Sequence, residues 1–168
     1  MRLLSLTRVV VALCFAAWFG GCASYSGSSL KPGLATADEV RQTMGAPRNV
    51  YREADGSEIW EYPRGPMGFH TYMAHLDKNR VLKSIEQVLG EHSLTLLGSD
   101  KITREDVLRR IGSPWRTGYF EQRKEEFWDY RFRDLWGYPS GLHVIFNEAG
   151  IVTQVLILRE HEPGESSN

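Results

Sequence analysis

The sequence predicts an α+β protein of two tandem units, each a short helical layer packed on a three-stranded antiparallel sheet. Three observations carry this expectation. Residues 36–47 and 103–114 share the pattern T-x-x-x-V-x-x-x-x-G-x-P, from Thr36 to Pro47 and from Thr103 to Pro114. A second block, E-I-W-E-Y at 58–62, returns as E-F-W-D-Y at 126–130. A third, residues 75–81, returns at 145–151. The order is kept, and the offset grows only from 67 to 70 along the chain. Agreement of three separate blocks points to an internal duplication.

The segment ahead of the duplication sets the compartment. It carries Arg2 and Arg8, has no acidic residue before Asp38, and runs without a charge from Val9 to Phe19. A helix needs ~20 apolar residues to cross ~30 Å of hydrocarbon, so this run is too short to span. It reads as a signal peptide over residues 1–21. Gly20-Gly21-Cys22 looks like a lipobox, with Phe19 where Leu, Val or Ala is usual. Cys22 is then the expected lipidation site and the anchor to a membrane. Acyl chains contribute ~0.8 kcal/mol per buried methylene, so several on one cysteine hold it firmly. Cys14 leaves with the signal, and a lone Cys22 forms no intramolecular disulfide. Ala23 and Ser24 follow, with no Asp beside the cysteine; by resemblance to bacterial sorting signals this favours the outer membrane, facing the periplasm. Residues 22–33 are the Ser/Gly-bearing tether, 34–92 the first unit, 93–160 the second, and 161–168 a polar tail expected to fray. Losing Arg2 and Arg8 takes the net charge from −1 to −3. Bulk charge therefore points to no nucleic-acid partner and to no binding of an anionic bilayer surface.

Within each unit the elements follow from local chemistry. Thr36 and Thr103 are N-caps, and Glu39 or Asp106 three residues on can return the bond as a capping box. Val40 and Met44, or Val107 and Ile111, share one face of the short helix that follows. Gly45 and Gly112 stop it, and Pro47 and Pro114 bar continuation. A strand comes next, with Trp60 and Tyr62, or Trp128 and Tyr130, on one face. A second strand holds Tyr72, Ala74 and Leu76, or Leu142, Val144 and Phe146. Residues 77–80 and 147–150 have hairpin-turn chemistry. The third strands are residues 81–89 and 151–158. The latter ends apolar on both faces, so it is either buried on both sides or an edge that accepts a partner strand.

The repeated T-x-x-x-V-x-x-x-x-G-x-P, the W-x-Y, the lipobox and the tether together resemble the SmpA/OmlA, or BamE-like, family of small outer-membrane lipoproteins. The resemblance covers most of residues 34–89 and again 102–159. That family has one unit where this chain has two, and the tandem also resembles the β-lactamase inhibitor protein fold. The resemblance implies a non-catalytic accessory or scaffold in outer-membrane protein assembly or envelope integrity. Its partner would be a protein of the envelope, with the β-barrel assembly machinery the candidate. The tandem likeness implies, as the alternative, a binding or inhibitor module for a periplasmic enzyme.

No catalytic motif emerges. His70 and His75, at odd spacing on a strand, point to opposite faces and cannot share a metal. No nucleophile elbow or phosphate-cradling glycine loop is present, so no enzyme, metal or cofactor is expected. Binding chemistry gathers in two loops. Phe132, Arg133, Leu135, Trp136 and Tyr138 join two strands of the second unit, and Met67 and Phe69 stand at the matching place in the first. Large aromatics with Arg are the types enriched at interface hot spots. These seven are the candidate partner-binding residues.

Overall fold

The computed structural model describes residues 26–65, 68–97 and 101–160. The chain runs through α1 (Ala37–Met44), β1 (Asn49–Arg52), β2 (Glu58–Arg64), β3 (His70–Leu76), β4 (Leu82–Gln87) and α2 (Ser93–Leu97). It continues through α3 (Arg104–Ile111), β5 (Arg116–Phe120), β6 (Glu125–Arg133), β7 (Pro139–Phe146) and β8 (Val152–Arg159). The strands form two antiparallel sheets, ordered β1-β2-β3-β4 and β5-β6-β7-β8. The protein is thus mostly β, and the expected α+β unit of a helical layer on three strands is not what forms. The extra strand lies between the Gly-x-Pro stop and the W-x-Y strand. There Asn49 pairs with Glu61, and Arg116 with Asp129. Such an edge strand pairs on one side only, and polar or exposed side chains are normal on it. Arg116, Thr117, Tyr119 and Phe120 are all exposed, so no apolar alternation announces the strand.

Corresponding positions of the two units do the same local work. Both capping boxes form: Thr36 Oγ1 accepts from the Glu39 N–H and Thr103 Oγ1 from the Asp106 N–H. The carboxylates return the bond to the Thr36 and Thr103 N–H groups at 2.7 and 2.8 Å. Gly45 and Gly112 end the helices at φ 88° and 83°, where a β-carbon would be strained. Trp60 Nε1 donates to Glu58, and Trp128 Nε1 to Glu126. A register shift falls between His75 and Leu76 and again between Ile145 and Phe146. Isolated bridges tie Thr36 to Val81 and Thr103 to Ile151.

The elements stack in series. On one face of the first sheet, Ala37, Val40 and Met44 of α1 pack with Trp60, Tyr62, Ala74 and Leu82. The other face receives α3. Its Val107 and Ile111 belong to one core with Met73 and Val88 from the first unit and with Trp128, Tyr130, Phe132, Leu142, Val144 and Phe146 from the second. Each large side chain so buried contributes ~1.5–3 kcal/mol. The layer order is therefore α1, first sheet, α3, second sheet. Helix α2 closes the connection: Ser93 Oγ accepts from the Gly90 N–H and donates to the Val88 carbonyl, and Leu97 joins the shared core.

A buried carboxylate marks the junction. Glu61 has no exposed surface, and a charge so placed must be hydrogen-bonded. It accepts from Asn49 Nδ2 at 2.8 Å, Tyr51 OH at 2.7 Å, the Ser113 N–H at 2.9 Å and Ser113 Oγ at 3.2 Å. Ser113 belongs to the second unit, so two of these bonds cross between units. Arg109 adds an ion pair to Glu53 at 2.5 Å.

Candidate partner-binding face

The hairpin joining β6 to β7 is a hydrogen-bonded platform. Asp134 Oδ1 accepts from the backbone N–H groups of Trp136 and Tyr138, both at 2.9 Å. The Asp134 N–H reaches the Tyr138 carbonyl, and the Gly137 N–H returns to the Asp134 carbonyl. Gly137 sits at φ 85°, which is why the turn needs glycine there. Arg133 Nη1 donates to the Gly137 carbonyl at 2.7 Å. The second oxygen of Asp134 pairs with Arg159 at 2.5 Å. The Arg159 guanidinium in turn lies over Tyr138 at 4.5 Å and Trp136 at 5.6 Å. Burial opposes ionisation of Asp134, yet the Tyr138 and Trp136 N–H groups and Arg159 outweigh it and lower its pKa. Asp134, Trp136, Gly137 and Tyr138 are thereby each held by more than one contact.

What the platform presents is apolar. Leu135 is 83% exposed, Trp136 74% and Tyr138 52%. A surface already held in one shape loses little entropy on binding, and rigid aromatics dominate interface energetics. Phe132 is not part of this surface. It has no exposed area and packs with Trp128 and Tyr130 in the core, on the face turned to α3. Arg133 lies beside Phe69 of the first unit, its guanidinium 4.9 Å from the ring centroid, and Arg131 approaches the same ring at 4.8 Å. The structure thus brings Phe69, Arg133, Leu135, Trp136 and Tyr138 to one end of the molecule. Met67 and Cys22 lie outside the described residues, as do the signal segment and the tail.

Beside the hairpin is a group of residues that motif reasoning passed over. Strand β8 is an edge strand, and its Leu156 and Leu158 stay 36% and 55% exposed on the far face of the second sheet. Trp115, Arg116, Asp129, Gly141, His143 and Leu158 line a pocket of about 220 Å³ there. Asp129 is 2% exposed and lies between two basic side chains. His143 Nδ1 is 2.7 Å from one of its oxygens, and Arg116 reaches the other through Nε at 2.8 Å and Nη2 at 2.5 Å. The His143 imidazole lies over Gly141, where a β-carbon would stand 2.9 Å from Nε2 and displace the ring. Among the described residues the lining holds no Ser, Thr or Cys. Its one hydroxyl, on buried Tyr130, donates to the Gly112 carbonyl at 3.0 Å. What this arrangement offers is apolar contact and hydrogen bonding. Among the described residues no three metal-ligating side chains converge. His70 and His75 fall on opposite faces of β3, as their register shows.

Compared with known family models, curated proteins and solved structures, the chain matches none. The signal that could have located the pocket is the repeat itself, because Asp129 stands where Glu61 stands in the first unit.

Proposed function

We propose that this chain is a non-catalytic lipoprotein of the bacterial outer membrane, tethered at Cys22 and facing the periplasm, that binds a protein partner through the 134–138 hairpin. Its role would be that of an accessory or scaffold in outer-membrane protein assembly or envelope integrity. The observation that supports binding is the hairpin: Leu135 and Trp136 are held out from the body on a frame of backbone and carboxylate bonds. Exposed apolar side chains cost solubility, and a turn has no packing reason to be built this way. The compartment and the anchor rest on the basic n-region, the short apolar run and Gly20-Gly21-Cys22. The assembly role rests on the repeated T-x-x-x-V-x-x-x-x-G-x-P and W-x-Y motifs and their likeness to the SmpA/OmlA family.

The test is a pull-down from detergent-solubilised membranes, comparing wild type with Leu135→Ala/Trp136→Ala. The proposal expects wild type to retain components of the β-barrel assembly machinery and the folded double variant to lose them. Retention of a single soluble periplasmic hydrolase instead would favour the inhibitor reading, for which a rigid projecting loop is equally apt. Metabolic labelling with palmitate tests the anchor: label on wild type and none on Cys22→Ser is expected.

A further inference from the structure

The serial stack shows what the far face of the second sheet is built to receive. Register aligns the two sheets strand by strand. Asn49, Glu61 and Met73 occupy one row of the first, and Arg116, Asp129 and His143 the same row of the second. Thr71 and Gly141 correspond one row away. In the first unit that row is the seat of the α3 C-terminus. A β-carbon on Gly112 would touch Thr71 Cγ2 at 3.0 Å and Glu61 at 3.2 Å, and Ser113 bonds both Asn49 and Glu61. The pocket on the second sheet is lined by the equivalents of these same three residues: Arg116, Asp129 and Gly141. Leu158 and Trp115, exposed at its rim, supply apolar surface for a helix.

We propose that this pocket is a docking seat for a partner protein's helix C-terminus, the counterpart of the seat that Gly112 and Ser113 fill within the chain. The proposal rests on the partner-binding reading and names the partner's chemistry: a short helix ending in a tight turn, followed by a free backbone N–H. The acceptor for that N–H is Asp129 Oδ1. In the first unit, among the described residues, the Ser113 N–H is the one donor to Glu61 Oε1, whereas the other oxygen takes three bonds. Among the described residues Asp129 Oδ1 makes one bond, to His143, and a carboxylate oxygen has two lone pairs. With Gly141 in place of Thr71, the floor of the seat is formed by the His143 imidazole, which lies over that glycine. The adjoining Arg159, shared between the pocket lining and the Trp136–Tyr138 platform, joins seat and hairpin into one surface. A partner resting on the hairpin would reach the seat without a gap.

The experiment uses a helix-constrained peptide of residues 103–114, the segment that fills the equivalent seat, carrying Arg109→Lys with a lactam joining that amine to the Glu105 carboxyl. It is titrated into the full mature chain labelled with ¹⁵N. Expected are saturable shifts of the Gly141 and His143 amides, at least tenfold weaker binding to Leu158→Arg, and unchanged binding to Lys78→Ala, an exposed turn position of the first unit. A thermal melt shows that Leu158→Arg is folded. No saturable shift, or equal binding by Leu158→Arg, would overturn the seat. So would a concentration-dependent dimer of the wild type abolished by Leu158→Arg, because that assigns the face to a second copy. Absence of peptide binding with partner capture from membranes intact overturns the seat alone. Peptide binding with no protein captured by wild type leaves the seat standing and removes the hairpin reading.

Discussion

Replacing Glu61 by Gln probes the junction of the two units with almost no change of shape. The carboxylate is fully buried and accepts four hydrogen bonds from three residues. An amide can present only one oxygen. If its NH₂ group takes the place of Oε1, the Ser113 N–H loses its acceptor. If it takes the place of Oε2, Tyr51 and Ser113 can turn their hydroxyls to accept, but Asn49 Nδ2 then faces another donor. One buried donor goes unmet in either orientation, at ~1–3 kcal/mol, and the remaining bonds lose their charge assistance. A destabilisation of about 2 kcal/mol is expected, which for a body of this size lowers Tm by roughly 5–10 °C. Urea unfolding followed by tryptophan fluorescence and by far-UV circular dichroism measures it. A double-mutant cycle with Ser113→Ala then asks whether the loss belongs to the junction. Coupling of at least ~0.5 kcal/mol is expected for groups that share a bond. Additive effects, or a Glu61→Gln midpoint within error of wild type, would refute the view that this carboxylate latches the units together.

The remaining predictions address local structure, pH and the binding surface. Thr36→Ala and Thr103→Ala should each cost about 1 kcal/mol, the usual value of an N-cap, measured by chemical denaturation. Gly112→Ala should cost more than Gly45→Ala. Both glycines have positive φ, but a β-carbon at 45 meets open space while one at 112 meets Thr71 and Glu61. Equal midpoints for the two variants would contradict this. Burial raises the pKa of Tyr62 to about 12 and pushes Tyr51 and Tyr130 up as well. Between about pH 10 and 12 the native chain therefore holds protons that the unfolded chain releases, so stability is full below pH 10 and falls above it. Absorbance titration should show these three of the seven tyrosines ionising only as the fold is lost. Asp134→Ala should cost about 1–2 kcal/mol by chemical denaturation, because its side chain accepts the Trp136 and Tyr138 N–H groups and pairs with Arg159, and should weaken partner capture because the platform loses its frame.

The duplication was legible because each copy keeps the residues that local physics demands. The Thr caps with Glu39 or Asp106, the stops at Gly45 and Gly112, and the W-x-Y strands all stand where the spacing placed them. The burial of Phe132 was legible too, since it continues the period-two phase of Trp128 and Tyr130. Reading it as part of an aromatic loop overrode that phase. Strands β1 and β5 were not legible. Their side chains are half-exposed or exposed, and what holds them is backbone pairing to β2 and β6, which leaves no pattern in side-chain type. That omission turned two four-stranded sheets into two three-stranded ones and made the helices seem a larger share of the fold. The stack was hidden for a related reason. By alternation Glu61 and Asp129 fall on the strand face opposite the W-x-Y aromatics, and only the packing of α3 shows that one of them is buried between units. Composition singled out Leu135 and Trp136, because a turn flanked by Asp134 and Gly137 has no need of large apolar residues, but only the fold shows that they are exposed rather than folded back onto the core.

The central claim is that Leu135 and Trp136 touch a protein partner in the envelope. Site-specific photo-cross-linking in living cells tests it most directly, with a photoreactive phenylalanine placed at Trp136 and, as control, at exposed Asp55 in the first unit. The account predicts one discrete adduct from position 136 that is absent from position 55, with a captured protein of the barrel-assembly machinery. The same adducts from both positions, or none from 136 in a correctly localised chain, would contradict it.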